Sequence, residues 1–434
     1  MIAQQVDLFL DQHCGAGQVT VAYSGGLDSC ALLHLAHGWA ARRGRSLAAI
    51  HIHHGLNKRA DHWAEHCRQQ AALLGVTLQV VRVQVVRQPR QSLEDVARQA
   101  RYQAFSDHVA SGSLLLAHHL DDQAETLLLR IGRGTGPKGL AGMAPSRALR
   151  PDLQLLRPLL GVARAQLEAQ VAKAAWAHIH DDSNDELRFR RNALRHQLLP
   201  LWAELQPGIV SQLGKLARHC AELDALACEV AESDLTQCGD CQQLDLPLLA
   251  NLSAPRRTNL LRYWLGLAGV VAEQEQLDEL WRQMSSARSD SAPLLQLGSI
   301  SLRRYRQKLY LLPEKTTPLP ASIAWPSWPQ PLQLADGRQL LPCAGGILRP
   351  PTAEEPVSLR FALPGSWRCH PAGRAHSREL TKVWQEHSVP PWLRPQVPML
   401  FYGDQLMAAV GYWLEKPALQ QKGDGIELQC RVLV

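Results

Sequence analysis

Residues 21–29 read VAYSGGLDS, a run with strand character that enters two glycines, two serines and an aspartate, and the helical CALLHLAHG follows. A strand that opens into a helix through Gly25 and Gly26 leaves unpaired backbone N–H groups where the helix dipole is positive. Glycine lets a phosphate approach the main chain closely, and the Ser24 and Ser29 hydroxyls add donors around Leu27 and Asp28. The stretch is not a Walker A loop, because the Lys-Ser/Thr ending is missing, and it lacks the G-x-G-x-x-G spacing of a dinucleotide fingerprint. The competing reading is a plain glycine turn. Its place on the first strand of a βα series favours the anion site.

A second candidate lies in HLDDQAET, residues 119–126, which follows another strand. Asp121 is placed to cap the helix that starts there, and Asp122 and Glu125, at i and i+3, share one face. Two carboxylates converging on a phosphate site can hold Mg²⁺ through oxygen, or receive an ammonium group and later take its proton. A capped helix with a solvated acidic first turn is the alternative. Downstream, GRGTGPKGLAG (132–142) reads as a mobile basic loop able to close over a ligand. RFRRNALRH (188–196) puts Arg191 and Arg195 on one helical face, where they can clamp phosphate or carboxylate by bidentate contacts. Arg98 and Arg101 form an i, i+3 pair in LEDVARQARYQAFSDHVAS, a helix that Ser92 can cap and whose Val96, Ala100 and Phe105 fit an apolar stripe.

The elements that must position these residues alternate. QVTVAY, SLAAIHIH, TLQVVRV, SLLLAH and LQLLRPLL read as strands between amphipathic stretches, the pattern of a doubly wound, mostly parallel α/β sheet. Helices follow from Arg190 to about Ala231. A second block has helical RRTNLLRYWLGLAG and EQLDELWRQMSSA and then strand-like SLRRYRQKLYLL. We expect a catalytic domain over 1–216, a mainly helical domain over 217–313, a proline-rich linker over 314–331 and a smaller α+β domain over 332–434. In that last domain Arg360, Arg368, Arg374, Arg378, Lys382 and Arg394 accompany Trp367, Trp384 and Trp392, a mixture that can track a phosphate backbone and stack on bases.

At 434 residues the chain has room for two or three domains. No stretch approaches the run of about 18 apolar residues that a membrane helix needs. The first Lys or Arg is Arg42, so neither a signal-peptide nor a transit-peptide pattern is evident and a cytoplasmic location is expected. Ten scattered cysteines suit a reducing compartment, and the net charge of +6 suits a polyanionic partner without requiring one. HWAEH (62–66) has the spacing of a zinc-protease motif with nothing to support it, and Cys238 and Cys241 form a lone CxxC best read as two free thiols.

SGGLDS resembles the pyrophosphate loop of the ATP-pyrophosphatase (PP-loop) families, which split ATP to AMP and pyrophosphate to activate a substrate oxygen. IHIHHGLNKRADHWAEHC, AHHLDDQAETLLLRIGRGTGPKGLAGM, RPLL…HDDSNDELRFRRNALRHQLLP and KVWQEHSVPPWLRPQVPMLFYGDQLMAAVGYW are, in that order, similar to the tRNA(Ile)-lysidine synthetase family. The resemblance implies ATP and Mg²⁺ as cofactors, and free lysine and a tRNA(Ile) with a CAU anticodon as substrates. The product would be a carbon–nitrogen bond at ring carbon 2 of the wobble cytidine. It places pyrophosphate on Ser24, Gly25, Gly26, Leu27, Asp28 and Ser29, and Mg²⁺ on Asp28 and Asp122. Catalysis would fall to Asp28, Asp122, Glu125 and Arg191. Lysine or a phosphate would meet Arg98, Asp122, Arg191 and Arg195. A homodimer is compatible with this reading, and a membrane role is not expected. Glu379 and Thr381 stand where family members often carry lysines, which weakens the expected grip of that helix on tRNA. The rivals are a tRNA thiolation enzyme on the same fold and a non-catalytic tRNA-binding protein.

Overall fold

The β-branched and leucine-rich runs of the first 160 residues become the strands of one sheet. The computed structural model describes residues 2–55, 57–85, 93–182, 186–188, 190–286, 293–298, 300–313, 317–420 and 425–432, and the chain divides into two compact units, Met1–Glu229 and Val230–Val434. Ser92, the expected cap of the helix from Leu93, lies outside the described residues.

In the first unit the elements run α1 (Ile2–His13), β1 (Gln18–Ala22), α2 (Leu27–Arg43), β2 (Leu47–His53), α3 (Ala60–Leu73), β3 (Thr77–Arg82), α4 (Leu93–His108), β4 (Gly112–Leu115), α5 (Leu120–Ile131), α6 (Pro137–Leu140), β5 (Ser146–Arg150), β6 (Leu153–Leu156) and α7 (Arg164–Ala174). The sheet order is β3-β2-β1-β4-β6-β5, parallel except for β5, which sequence patterning does not single out and which runs antiparallel beside β6. Because strand side chains alternate between faces, Leu115 and Leu156 join one core with Val19, Leu32, Cys67 and Leu167, from β1, α2, α3 and α7. Leu114 and Leu155 join another with Ile50 and Phe105 of α4. Both faces are therefore covered, as a doubly wound sheet requires.

The strand order reverses between β1 and β4, and ligands of such sheets bind in the crevice beyond the strand ends at that point. The loops after β1 and β4 carry SGGLDS and HLDDQAET. Beyond α7, short helices α8 (Arg190–Ala193) and α9 (Leu199–Leu205) flank one π-helical turn, Leu194–Leu198, and the long α10 (Ile209–Cys238) follows.

In the second unit, helices α11 (Leu246–Asn251), α12 (Ala254–Leu267) and α13 (Gln274–Ser286) pack with a four-stranded antiparallel sheet that starts at Gln243–Asp245 and ends in the hairpin of Ile300–Tyr305 and Lys308–Pro313. The expected helical block thus also holds a sheet. Cys238 is buried in its core while Cys241 is exposed, and both thiols are free. A five-stranded and a three-stranded antiparallel sheet with the helix Leu380–Glu386 complete the unit. The stretch expected as linker contributes the strand Ser322–Ala324 and the buried Trp325 to this last part.

Trp264 on α12 is fully buried, and its indole N–H donates to the Asp240 carbonyl at 2.9 Å. Replacing it with alanine empties a large core volume and should cost about 3–5 kcal/mol in equilibrium unfolding. A loss below about 1 kcal/mol would show that this core does not depend on the indole.

Candidate active site

The loop after β1 is shaped by its two glycines in different ways. Gly25 has φ +89°, and a Cβ there would stand 2.7 Å from Ile179 Cδ1 and 2.9 Å from Cys67 Sγ. Only glycine fits. The Ile179 N–H donates to the Gly25 carbonyl at 2.9 Å, so the segment after α7 clamps the loop from one side. Gly26 is the N-cap of α2 and offers no side chain to the first-turn amides, which stay open to an anion. The Ser29 hydroxyl donates to the Gly26 carbonyl at 3.0 Å and accepts the Ser24 N–H at 3.2 Å, with the Ser24 hydroxyl 3.0 Å away. These bonds hold both hydroxyls beside the open amides. Asp28, in the first turn of α2, keeps Oδ1 buried with no hydrogen-bond partner.

The Asp28 Oδ2 faces His119, a residue that sequence reasoning passed over. His119 is fully buried at the end of the β4 segment. Its Nε2 lies 3.6 Å from Asp28 Oδ2 and 3.5 Å from Asp122 Oδ2, and its Nδ1 lies 3.6 Å from Asp121 Oδ2. Burial works to discharge the ring, but Asp121, Asp28 and Asp122 outweigh it and lift its pKa from 6.5 to about 10. In the structure Nδ1 accepts the Asp122 N–H at 3.4 Å, and Nε2 is buried without a hydrogen-bond partner, so the carboxylates act on the ring through charge and not through hydrogen bonds. The stability this charge contributes is fully present below the ordinary imidazole value and is lost as pH rises through about 10.

The N-cap of α5 is therefore His119 and not Asp121. The Asp122 carboxylate takes the His119 backbone N–H at 3.0 Å, while Asp121 accepts the Arg164 N–H at 2.8 Å and caps α7. The helix beginning at Leu120 places the position of Asp121 toward the neighbouring helix start, which one sequence segment does not reveal.

Asp122 and Glu125 do share a face, and Arg191 and Arg195 meet them. Arg191 Nε donates to Glu125 Oε2 and Arg195 Nε to Glu125 Oε1, both at 2.6 Å. Each arginine's Nη2 donates to Asp122 Oδ1 at 3.1 Å. Arg191 lies on α8 and Arg195 within the wide π-helical turn Leu194–Leu198, a type of irregularity frequent at functional sites. Burial would raise the Asp122 pKa, but His119 and Arg191 hold it below the usual carboxylate value. Around these residues the carboxyl groups of Asp28, Asp121, Asp122 and Glu125 face the cationic side chains of Arg191 and Arg195, the His119 ring and, through its charge on Asp28 and Asp122, Arg164.

A cleft of about 820 Å³ opens beside the glycine loop. Ile50, Ile52, Phe105 and Leu116 give it an apolar wall, and Ser24, Asp28, Ser29 and Arg195 give it a polar one. Burial lowers the pKa of His118 to about 3 and that of His54 to about 4, so both rings on its rim are neutral. Arg98 stands apart from the carboxylates: its guanidinium donates to the Tyr102 hydroxyl at 3.3 Å. The glycine-rich segment 132–142 is hydrogen-bonded to α5 at its far end. Arg130 donates to the Gly139 and Gly142 carbonyls, and the Gln123 amide exchanges hydrogen bonds with both backbone groups of Met143.

In the second unit much of the expected basic surface is already paired. Arg360 meets Asp404, and Arg374 and Arg378 both meet Glu386. Trp384 is a core residue and Trp392 packs edge-on against Tyr305 and Tyr310, so these indoles serve packing. Among the described residues no group of His, Cys, Asp and Glu forms a metal cluster, and no helix is long and apolar enough to cross a membrane.

Sheet, loop and cleft together define a PP-loop nucleotide-binding enzyme fold, and a PP-loop domain model matches residues 1–202. A TilS substrate binding domain matches 244–310, and a TilS substrate C-terminal domain matches 357–430. The chain is 43% identical over 410 residues to the tRNA(Ile)-lysidine synthase of Pectobacterium atrosepticum, covering 93% of this chain and 92% of that protein. For the same enzyme of Serratia proteamaculans the identity is 42% over 426 residues, covering 96% and 97%. For Escherichia coli O157:H7 it is 39% over 416 residues, covering 94% and 95%. The chain belongs to the tRNA(Ile)-lysidine synthase family.

Glu125 is fully buried and is bonded by two guanidinium groups, so it carries stability as well as any chemistry. Glu125→Gln should lower unfolding stability by roughly 3 kcal/mol, because it leaves two partly buried cations short of a partner. Chemical denaturation reads this directly. A change within about 0.5 kcal/mol would mean that the arginines find solvent at no cost.

Proposed function

We propose that this protein joins free lysine to ring carbon 2 of the wobble cytidine in a tRNA(Ile) with a CAU anticodon, converting ATP to AMP and pyrophosphate. The observation that carries the reading is the open-amide loop Ser24–Ser29 at the sheet's switch point, with Asp28 and Asp122 facing the same buried His119 and Glu125 joined to Asp122 through Arg191 and Arg195.

Ring oxygen 2 of the cytidine attacks the α-phosphate of ATP, and pyrophosphate leaves. Gly26 to Ser29 hold the leaving group through their backbone N–H groups, and the Ser24 and Ser29 hydroxyls orient it. The lysine amine then attacks ring carbon 2, gives up a proton and expels AMP. Asp122 and Glu125 receive the lysine ammonium, displacing the guanidinium groups of Arg191 and Arg195, which become free to meet phosphate or carboxylate. Arg98 waits on the adjoining helix for an anionic group.

Asp28 fits Mg²⁺, since its Oδ1 is a buried oxygen without a partner beside the phosphate loop. Asp122 fits less well, since Oδ1 is taken by two arginines and Oδ2 by the His119 N–H. A single protein carboxylate accords with the habit of Mg²⁺ to arrive on substrate phosphates with most of its waters. When bound, the ion offsets the negative charge that develops on pyrophosphate.

A thiolation enzyme would need reactive cysteines at this loop. Burial instead pushes the thiols of Cys30 and Cys67 up to about 11 and about 12, which leaves them protonated and poor nucleophiles. The site holds carboxylates suited to an amine.

Incubating the protein with tRNA, ATP and labelled lysine and analysing the nucleosides by mass should show label in one cytidine derivative. Sulfur incorporation, or no label, would overturn the reading. Asp28→Ala should keep its fold and lose AMP release by at least about a hundredfold, as for other groups that stabilise transition-state charge. Wild-type AMP release from that variant would place the phosphates elsewhere.

A further inference from the structure

Tyr102 on α4 sits in a nest of guanidinium groups. Arg98 lies 4.9 Å and Arg147, on β5, 5.0 Å from its ring centre. Arg157, just after β6, reaches the Tyr102 side chain and donates to the Ala144 carbonyl at 2.6 Å. Arg157 is only 3% exposed, and its Nε is buried with no hydrogen-bond partner. Arg130, at the end of α5, gives its own hydrogen bonds to the Gly139 and Gly142 carbonyls and adds its charge near Arg98. Among the described residues none of Arg98, Arg130, Arg147 and Arg157 forms an ion pair with a carboxylate. Elsewhere in this unit the arginines of α2 pair with Asp7 and Asp11, and Arg164 pairs with Glu168.

Burying a guanidinium without a counter-charge is costly, and a fold that keeps three around one tyrosine, with Arg130 beside Arg98, gains when an anion completes them. We infer that the Tyr102 nest is a binding site for an RNA phosphodiester, a contact between the catalytic unit and the tRNA backbone at the margin of the cleft. The inference rests on the reading of tRNA as substrate. Arg101, the neighbour of Tyr102, lines the cleft, as does Phe105 one turn further along α4. The spread of these groups argues for successive backbone phosphates over the single carboxylate of an amino acid. One carboxylate satisfies one bidentate fork, whereas these four groups come from four segments and run from the buried Arg157 to the exposed Arg147. That spread matches a polyanionic chain passing over the surface, which gains further through counter-ion release.

Arg147 tests the site because it is exposed and lies outside the residues assigned to catalysis. In the full-length protein, Arg147→Gln should weaken tRNA binding roughly three- to tenfold at moderate salt. It should also reduce the slope of log affinity against log salt by about 0.7 to 0.9, the loss of one phosphate contact. Arg147→Lys should keep the wild-type slope. ATP affinity and the KM for lysine should not move in either variant. An unchanged slope in Arg147→Gln, with wild-type tRNA binding intact, overturns the inference alone. A raised lysine KM with unchanged tRNA affinity also overturns it, by giving the nest to the amino acid's carboxylate. Failure of the wild-type protein to bind tRNA would instead strike the proposed function.

Discussion

One buried histidine, whose charge the surrounding carboxylates favour, stands at the centre of this site. His119 faces Asp28 at the start of α2, Asp122 in the first turn of α5 and Asp121, whose carboxylate caps α7. Three helix N-termini meet around a single ring. Without its charge, the helix starts would press three carboxylates together in a low-dielectric interior. With it, Asp28 is held beside the phosphate loop with one oxygen still unbonded. The strand order makes this meeting possible, since β1 and β4 are neighbours at the point where the sheet's winding reverses.

The second charged group, Asp122 and Glu125 with Arg191 and Arg195, couples the sheet to the helices that follow it. These carboxylates are matched by guanidinium groups of good geometry, so under the proposed function an incoming ammonium competes with them. Such an exchange favours a ligand that brings compensation for the released arginines. A substrate carrying both an ammonium and anionic groups does this; a bare amine does not. The arrangement thereby offers selectivity through the cost of leaving buried charges unpaired.

The strands at 18–22, 47–53, 77–82, 112–115 and 153–156 were legible because each is a short apolar run bounded by turn residues. The antiparallel β5 was not, since SRALR carries two arginines and is strand only by pairing with β6. The loop at 24–29 was legible from its glycines, and the i, i+3 and i, i+4 spacings placed Asp122 with Glu125 and Arg191 with Arg195. That the two pairs bond each other depends on packing between segments some seventy residues apart. His119 was hidden for a similar reason. A histidine after a strand is common, and only the convergence of three aspartates from two loops shows its charge. The tryptophans of the last domain could not be assigned from sequence, because core packing, the commoner use, takes the same residue type as base stacking.

The protonation of His119 tests this account most directly. Ring nitrogen chemical shifts of histidine-labelled protein, with the His119 signal assigned by its loss in His119→Asn, can be followed from mildly acidic to alkaline pH. The account predicts an imidazolium that persists through neutral pH and titrates near 10. A His119 ring that loses its proton at or below the ordinary value of 6.5 would contradict it, and Asp28 would then need another partner to hold it at the phosphate loop.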